Sequence, residues 1–234
     1  WMLVYHAFEN RYVNLGRQTL MEPLEWTANG WPRVPEKIRT DQPIKKPVSS
    51  ERQPDRRNRL GEFRIGFDWK FYKNYDISRF IVENNVLTLK AQGDSPYTSS
   101  PMMFVAGHHA YEIEVEIETE PNTTAGIVLY YNDHFLVGSG FNSGNRYSYR
   151  SDGPARRGTH KDVSRLWLRL RNNHHIVTGT YSFDGINWEK DDWGMEVSGY
   201  NHNTLQGFQS LLPGIFVCGE GMAKFKNFKY TVLD

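Results

Sequence analysis

Residues 111–118 read Tyr-Glu-Ile-Glu-Val-Glu-Ile-Glu and alternate without a fault. Side chains on a β-strand point to opposite faces in turn. Tyr111, Ile113, Val115 and Ile117 therefore line one face, and Glu112, Glu114, Glu116 and Glu118 the other. A helix would scatter these glutamates around its circumference. Four like charges in a row repel unless cations lie across from them. The chain offers two cationic rows, Arg169 and Arg171 in Leu166-Trp-Leu-Arg-Leu-Arg171, and Lys224 and Lys226 in Ala223-Lys-Phe-Lys226. The expectation is a sheet with an acidic strand beside basic ones, its charged face solvated and without a ligand role.

A chain of 234 residues holds one large domain, or one domain and a piece of another. A formal charge of +1 gives no reason to expect nucleic acid or an anionic membrane as partner. No apolar run approaches the roughly 18 residues that span a bilayer, and no stretch reads as a signal peptide. The opening Trp1-Met-Leu-Val-Tyr5 looks like the middle of a strand, so a piece of a longer protein is expected. The single Cys218 excludes an internal disulfide and leaves the compartment open. A secreted or periplasmic setting is slightly favoured over the cytoplasm. Seven tryptophans and thirteen tyrosines suit a β-rich fold and equally suit the stacking of rings on sugars.

The chain divides at about residues 34 and 60. In residues 1–34, Trp1-Met-Leu-Val-Tyr5 reads as a strand and residues 19–26 as a second, demoted towards an edge by Pro23. Asn29-Gly30 signals a hairpin that returns through Trp31. Two or three strands make no stable domain alone, so this piece must lean on other polypeptide. Residues 35–60 carry Pro35, Pro43, Pro47, Pro54 and a charged run from Glu51 to Arg59 that includes Arg56-Arg57; this is an extended, solvated connector.

Residues 61–234 are a succession of short strands and turns. Val86–Lys90 alternates, and residues 125–131 are continuously apolar, as for a strand buried on both faces. Ser151-Asp-Gly153, Asn172-Asn173 and Asp184-Gly185 read as turns. In the last strand Phe225 falls on one parity and Phe228, Tyr230 and Val232 on the other, which requires a β-bulge near Lys226-Asn227. No stretch has a helical period. The fold class is all-β, a jelly-roll β-sandwich preceded by a few further strands.

Several segments also carry a resemblance. Trp1-Met-Leu-Val-Tyr-His6, Leu15-Gly-Arg-Gln-Thr-Leu20, Pro23-Leu-Glu-Trp26 and Asn29-Gly-Trp-Pro32 resemble the end of the five-bladed β-propeller of glycoside hydrolase family 43. Tyr181-Ser-Phe-Asp-Gly-Ile-Asn-Trp188, Leu212-Pro-Gly214 and Gly219-Glu-Gly-Met-Ala-Lys-Phe225 resemble the concanavalin A-like sandwich of that family's β-xylosidases and α-L-arabinofuranosidases. The resemblance implies a last-blade remnant over 1–34, a linker over 35–60 and the sandwich over 61–234. It also implies exo-release of xylose or arabinose with inversion, by an acid and a base carried on earlier blades. The missing propeller portion and a xylo- or arabino-oligosaccharide are the implied partners. No catalytic residue is expected here, because Glu9, Glu22 and Glu25 match no catalytic position. Arg17, in Gly-Arg-Gln, resembles the arginine that reaches the terminal sugar's hydroxyls, where a planar fork of donors suits a diol. A blade-bridging arginine is the alternative. His6 is placed near the propeller axis, or as a strand-end histidine bound by backbone.

Other groupings say less. His108-His109 and His174-His175 resemble metal pairs, but neighbours on a strand face opposite ways and each pair borders a turn. Asp191-Asp192 and Asp133 are the acids that suit a structural calcium, although six oxygen ligands cannot be named. Cys218 among apolar neighbours is expected to be buried and inert. Three functions remain open. The chain is the C-terminal portion of a glycosidase, a carbohydrate-binding module working through Trp167, Trp188, Trp193 or Tyr147 and Tyr149, or a structural partner of another chain.

Overall fold

The computed structural model describes residues 1–9, 12–39, 42–45, 58–60, 63–66, 68–73, 75–151, 155–159 and 162–233. Most of the charged run from Glu51, including Arg56-Arg57, and two residues of the turn at Ser151 lie outside them. Two antiparallel sheets face each other. One is built on the strand Ala110–Thr119, which pairs with Arg165–Asn173 on one side and Met222–Val232 on the other. Ile176–Ser182 and Glu189–Glu196 extend it in one direction, and Val86–Lys90 and Phe80–Glu83 in the other; Asn58–Leu60 also pairs with the last strand. The second sheet runs Arg156–Thr159, Asn145–Arg150, Leu136–Asn142, Thr123–Tyr130, Leu212–Gly219, Met102–Phe104 and Trp69–Phe71.

The alternation in the sequence decides what lies between them. Ile113, Val115 and Ile117 join Leu166, Leu168 and Leu170 from the first sheet. They pack against Ala125, Ile127, Leu129, Val137, Ile215 and Val217 from the second. Thr123–Tyr130 is buried on its other face too, as the unbroken apolar run requires: Val128 and Tyr130 sit in a separate cluster outside the core with Leu136, Phe216 and Cys218.

The acidic strand does lie between two basic ones. Glu114 accepts from Arg169 at 2.6 Å and from Lys229 at 2.7 Å, and Glu118 from Lys226 at 2.7 Å. The expectation of a solvated row needs correction. Glu114 and Glu116 are only 9% and 6% exposed, because the strand is central and the long flanking cations close over it. Burial opposes ionisation of Glu114, but Lys229 and Arg169 outweigh it and hold the carboxyl below its ordinary range. The bulge falls where parity demanded it. Register shifts between Glu114 and Glu116, Asn227 takes φ 53°, and Phe225, Phe228 and Tyr230 are all buried.

Other corrections are local. Asn172 and Asn173 remain in a strand, and the chain turns at His174, whose φ is 61°. A 3₁₀ turn, Ile77–Arg79, and a one-turn helix, His202–Leu205, were not anticipated, since so short a helix has no period to read. The connector expected over 35–60 needs the same kind of correction: its described residues 35–39 and 42–45 carry no strand or helix, but Asn58–Leu60 is a strand laid against the last strand of the first sheet.

The N-terminal residues form two small hairpins, Met2–Ala7 with Gln18–Pro23 and Glu25–Trp26 with Pro32–Arg33. Their apolar side chains face outwards, with Trp1 85% and Trp31 73% exposed. Residues 12–16 are held by the sandwich. Asn14 donates to Val197 O at 2.6 Å and Tyr200 O at 3.1 Å and accepts from Leu211 N at 2.7 Å, while Leu15 is buried.

Candidate functional site

Where the N-terminal strands meet the sandwich, a pocket of about 240 Å³ opens. His6, at the end of the first strand, and Arg17, just before the second, form one wall with Phe8; His202, Phe208, Gln209 and Ser210 form the other. Two sequence candidates far from the sandwich in the chain thus share a cavity with a sandwich loop.

The geometry has local causes. Gly16 takes φ +70°, and a Cβ there would lie 2.2 Å from Ser210 Oγ, so only glycine lets the two segments touch. The opposite wall is set by Asn201, which caps the short helix by accepting from Asn203 N and Thr204 N. Gln206 and Gly207 then adopt positive φ and reverse the chain. The Tyr131 hydroxyl donates to Gln206 O at 2.5 Å, and His202 Nδ1 approaches Gly207 O at 2.6 Å. Phe208 is left 80% exposed with its ring stacked on His202, centroids 4.5 Å apart.

The Arg17 guanidinium lies 5.4 Å from the Phe8 ring centre and 5.2 Å from that of Phe208. No acid lines the pocket. Among the described residues no carboxylate pairs with Arg17. The acids of the N-terminal strands are engaged elsewhere: Glu22 accepts from the Tyr5 hydroxyl at 3.0 Å, Glu25 pairs with Arg33 at 2.7 Å, and Glu9 lies 3.7 Å from His109 Nε2. The lining thus combines a guanidinium, two imidazoles and two phenylalanine rings, with no carboxylate among them. Phe8, His202 and Phe208 were missed from sequence. The available signal was a lone phenylalanine in the polar loop Gln206-Gly-Phe-Gln-Ser210.

The other candidates are dispersed. Arg165 lies over Trp167 at 4.9 Å and Arg169 over Trp188 at 3.7 Å, so each indole already carries a cation. Trp193 is 4% exposed with Nε1 donating to Ser139 Oγ, and Tyr149 is also buried; neither offers a face to a sugar. Tyr147 is half-buried on the outer face of the second sheet. Asp191 is held by Arg146 and Ser139, and Asp133 by Lys73 and Tyr130.

His109 meets His174 and His175 around Tyr12, while His108 lies 2.9 Å from the Tyr230 hydroxyl. The Tyr12 ring stacks on His109 at 3.6 Å and on His175 at 5.2 Å, with His174 at 6.0 Å. Among the described residues no three His, Cys, Asp or Glu side chains are grouped to hold a metal ion. No helix there is long and apolar enough to cross a membrane. Cys218 is buried, and its thiol is pushed up to about 12 by burial first and Asp94 second.

The facing sheets and their order define the class, a concanavalin A-like jelly-roll sandwich. Residues 62–231 match the family model of the beta-xylosidase C-terminal concanavalin A-like domain, and the chain belongs to that family. Solved structures share the fold over the N-terminal strands as well. The glycoside hydrolase family 43 protein BlXynB of Bacillus licheniformis has a TM-score of 0.80 at 22% identity, covering 100% of this chain and 51% of that one. A xylan beta-1,4-xylosidase from Bacillus halodurans C-125 gives 0.79 at 16%, covering 99% and 51%. A family 43 protein of the Bacteroides ovatus xyloglucan locus gives 0.79 at 16%, covering 100% and 51%. The chain therefore spans about half the length of these relatives. No curated protein matches it.

Proposed function

We propose that this chain is the C-terminal portion of a glycoside hydrolase that releases xylose or arabinose, with inversion, from the ends of plant cell-wall polysaccharides. In this reading residues 1–34 complete a β-propeller whose earlier blades supply the acid and base, and the sandwich buttresses it. The observation that carries the proposal is that Arg17 and Phe208, one from each part, wall a single acid-free pocket. A guanidinium fork donates to a vicinal diol, and an exposed ring beside it covers the sugar and excludes water. The outward apolar face at Trp1, Val4 and Trp31 supports the blade reading, since other polypeptide would cover it.

The test is to express the protein together with its upstream coding sequence and assay aryl xylosides and arabinofuranosides. Release of the pentose is expected, with inversion seen by NMR of the first-formed anomer. The 234-residue chain alone should show no turnover. A longer protein without glycosidase activity, or a chain active by itself, would sink the reading.

A further inference from the structure

The segment that leads into Arg17 meets the sandwich first through Tyr12. Its ring lies flat on His109, with 3.6 Å between centroids and 8° between planes, and leans on His175 at 5.2 Å and His174 at 6.0 Å. Backbone hydrogen bonds gather these imidazoles. His174 takes φ 61° and its N–H donates to His109 O at 3.0 Å, while His175 O accepts from Val197 N at 2.8 Å. Next along the segment, Asn14 bonds to Val197, Tyr200 and Leu211. Gly16 then packs on Ser210 and brings Arg17 beside Phe208.

The arrangement favours neutral imidazoles. His175 Nδ1 and His109 Nε2 are buried with no hydrogen-bond partner among the described residues. A neutral ring meets this by keeping its one proton on the other nitrogen. An imidazolium carries N–H on both, so protonating His175 sets a donor at Nδ1 where nothing accepts it. The charge also arrives among other imidazoles, since the rings of His109 and His174 are 6.4 Å apart. Two carboxylates face the cluster. Glu9 lies 3.7 Å from His109 Nε2, and Glu196, which accepts from Ser198 N at 2.7 Å, favours a proton on His175. Burial outweighs Glu196, and with His174 and His109 adding to it the His175 pKa lies below its ordinary value.

We propose that Tyr12 is a pH-sensitive latch: uptake of a proton by the cluster of His109, His174 and His175 releases its ring, frees residues 12–16 from the sandwich and withdraws Arg17 from Phe208. Release lets His175 Nδ1 reach water, which satisfies the new donor. The pocket is assembled at neutral pH and loosened in mild acid. The inference does not depend on what the pocket binds. One proton taken up on release shifts the equilibrium by no more than about tenfold per pH unit below about 6.5, the free imidazole value.

The Leu211 amide reports the latch, because its N–H donates across the seam to Asn14 O at 2.7 Å. The test is hydrogen exchange of this chain by NMR at about pH 7.5 and 5.5, corrected for intrinsic exchange, with and without dilute urea. Leu211 protection is expected to fall about three- to tenfold between the two. It should not respond to urea, because releasing the latch exposes little surface. The fall should vanish in His175→Gln. Tyr12→Ala should leave Leu211 weakly protected at both pH values while the amides of Ala110–Thr119 stay protected. Equal Leu211 protection at the two pH values in the parent chain overturns the latch. So does a fall that persists in His175→Gln, or parental protection in Tyr12→Ala. A urea dependence as steep as that of Ala110–Thr119 also overturns it, since Leu211 would then exchange only when the whole sandwich unfolds.

Discussion

The Arg17 guanidinium lies 5.2 Å from the centre of the Phe208 ring, although one belongs to the N-terminal strands and the other to the sandwich. Neither part contains a complete pocket. The contact makes the site a property of the junction, and the predictions below probe that junction and the sheet that supports it.

In the longer enzyme, Arg17→Ala should lower kcat/KM by about 10² or more with little change in melting temperature. A charge-assisted hydrogen bond is worth roughly 1.5–3 kcal/mol, and a diol takes two. Arg17→Lys keeps the charge but loses the fork, so it too should be strongly impaired. Kinetics near those of the parent for both variants would remove Arg17 from the site. A lowered melting temperature with spared kinetics would make it a blade-bridging residue.

Gly16→Ala should separate the two parts. The new methyl must displace Ser210 while the backbone holds a left-handed φ. About 2 kcal/mol or more of lost stability is expected, since backbone strain and overpacking each cost about 1–3 kcal/mol. Chemical denaturation measures it; a change within 0.5 kcal/mol, about the noise for ordinary surface substitutions, would mean that the contact can be relaxed freely.

Amides of Met2–Ala7 in this chain should exchange hydrogen much faster than those of Ala110–Thr119. The first strand has one neighbour and an exposed apolar face, whereas the second is central in its sheet. Mass spectrometry of the monomer reads this directly, and equal protection would assign the N-terminal strands to the sandwich itself.

Glu114 should contribute to acid sensitivity. Its carboxyl is held below the ordinary range by Lys229 and Arg169, so its contribution is present above the unfolded carboxyl pKa and is lost as pH falls through the folded one. Glu114→Gln should therefore be less stable than the parent at pH 7 by about 1–3 kcal/mol, with the difference narrowing in acid. A gap that does not change with pH down to 3 would contradict this account.

His175 works in a different window. Burial first, and then the neighbouring His174 and His109, lower its pKa, against the opposing pull of Glu196. The folded state thus disfavours the proton, and stability should fall as pH drops from about 6.5, the unfolded value, towards the lower folded value. His175→Gln should flatten the melting temperature between pH 7 and 5, as differential scanning fluorimetry would show. An unchanged slope would exonerate it.

What could be read from the sequence was whatever short-range pattern dictates. Residues 111–118 named their own faces, and the repulsion among their glutamates named their neighbours. The parity of Phe225 and Phe228 located a bulge. The glutamates' burial was not legible, because it depends on how many strands flank them and on which cations reach across. Phe208 was invisible for a related reason. Its loop is fixed by Tyr131, by Asn201 and by the contact of Ser210 with Gly16, none of them near it in the pattern. Arg17 and His6 were named through family likeness and their common pocket was not, since it exists only once the sandwich loop arrives.

The contact between Gly16 and Ser210 also bears on inheritance. Modules joined by a slack tether can be exchanged between genes without regard to each other. Here a bare backbone on one module accepts a side chain from the other at a distance that no second side chain tolerates. The two have to be inherited together, and recombination between residues 16 and 210 among diverged relatives would yield hybrids that fit only where both sides of this seam came from the same parent.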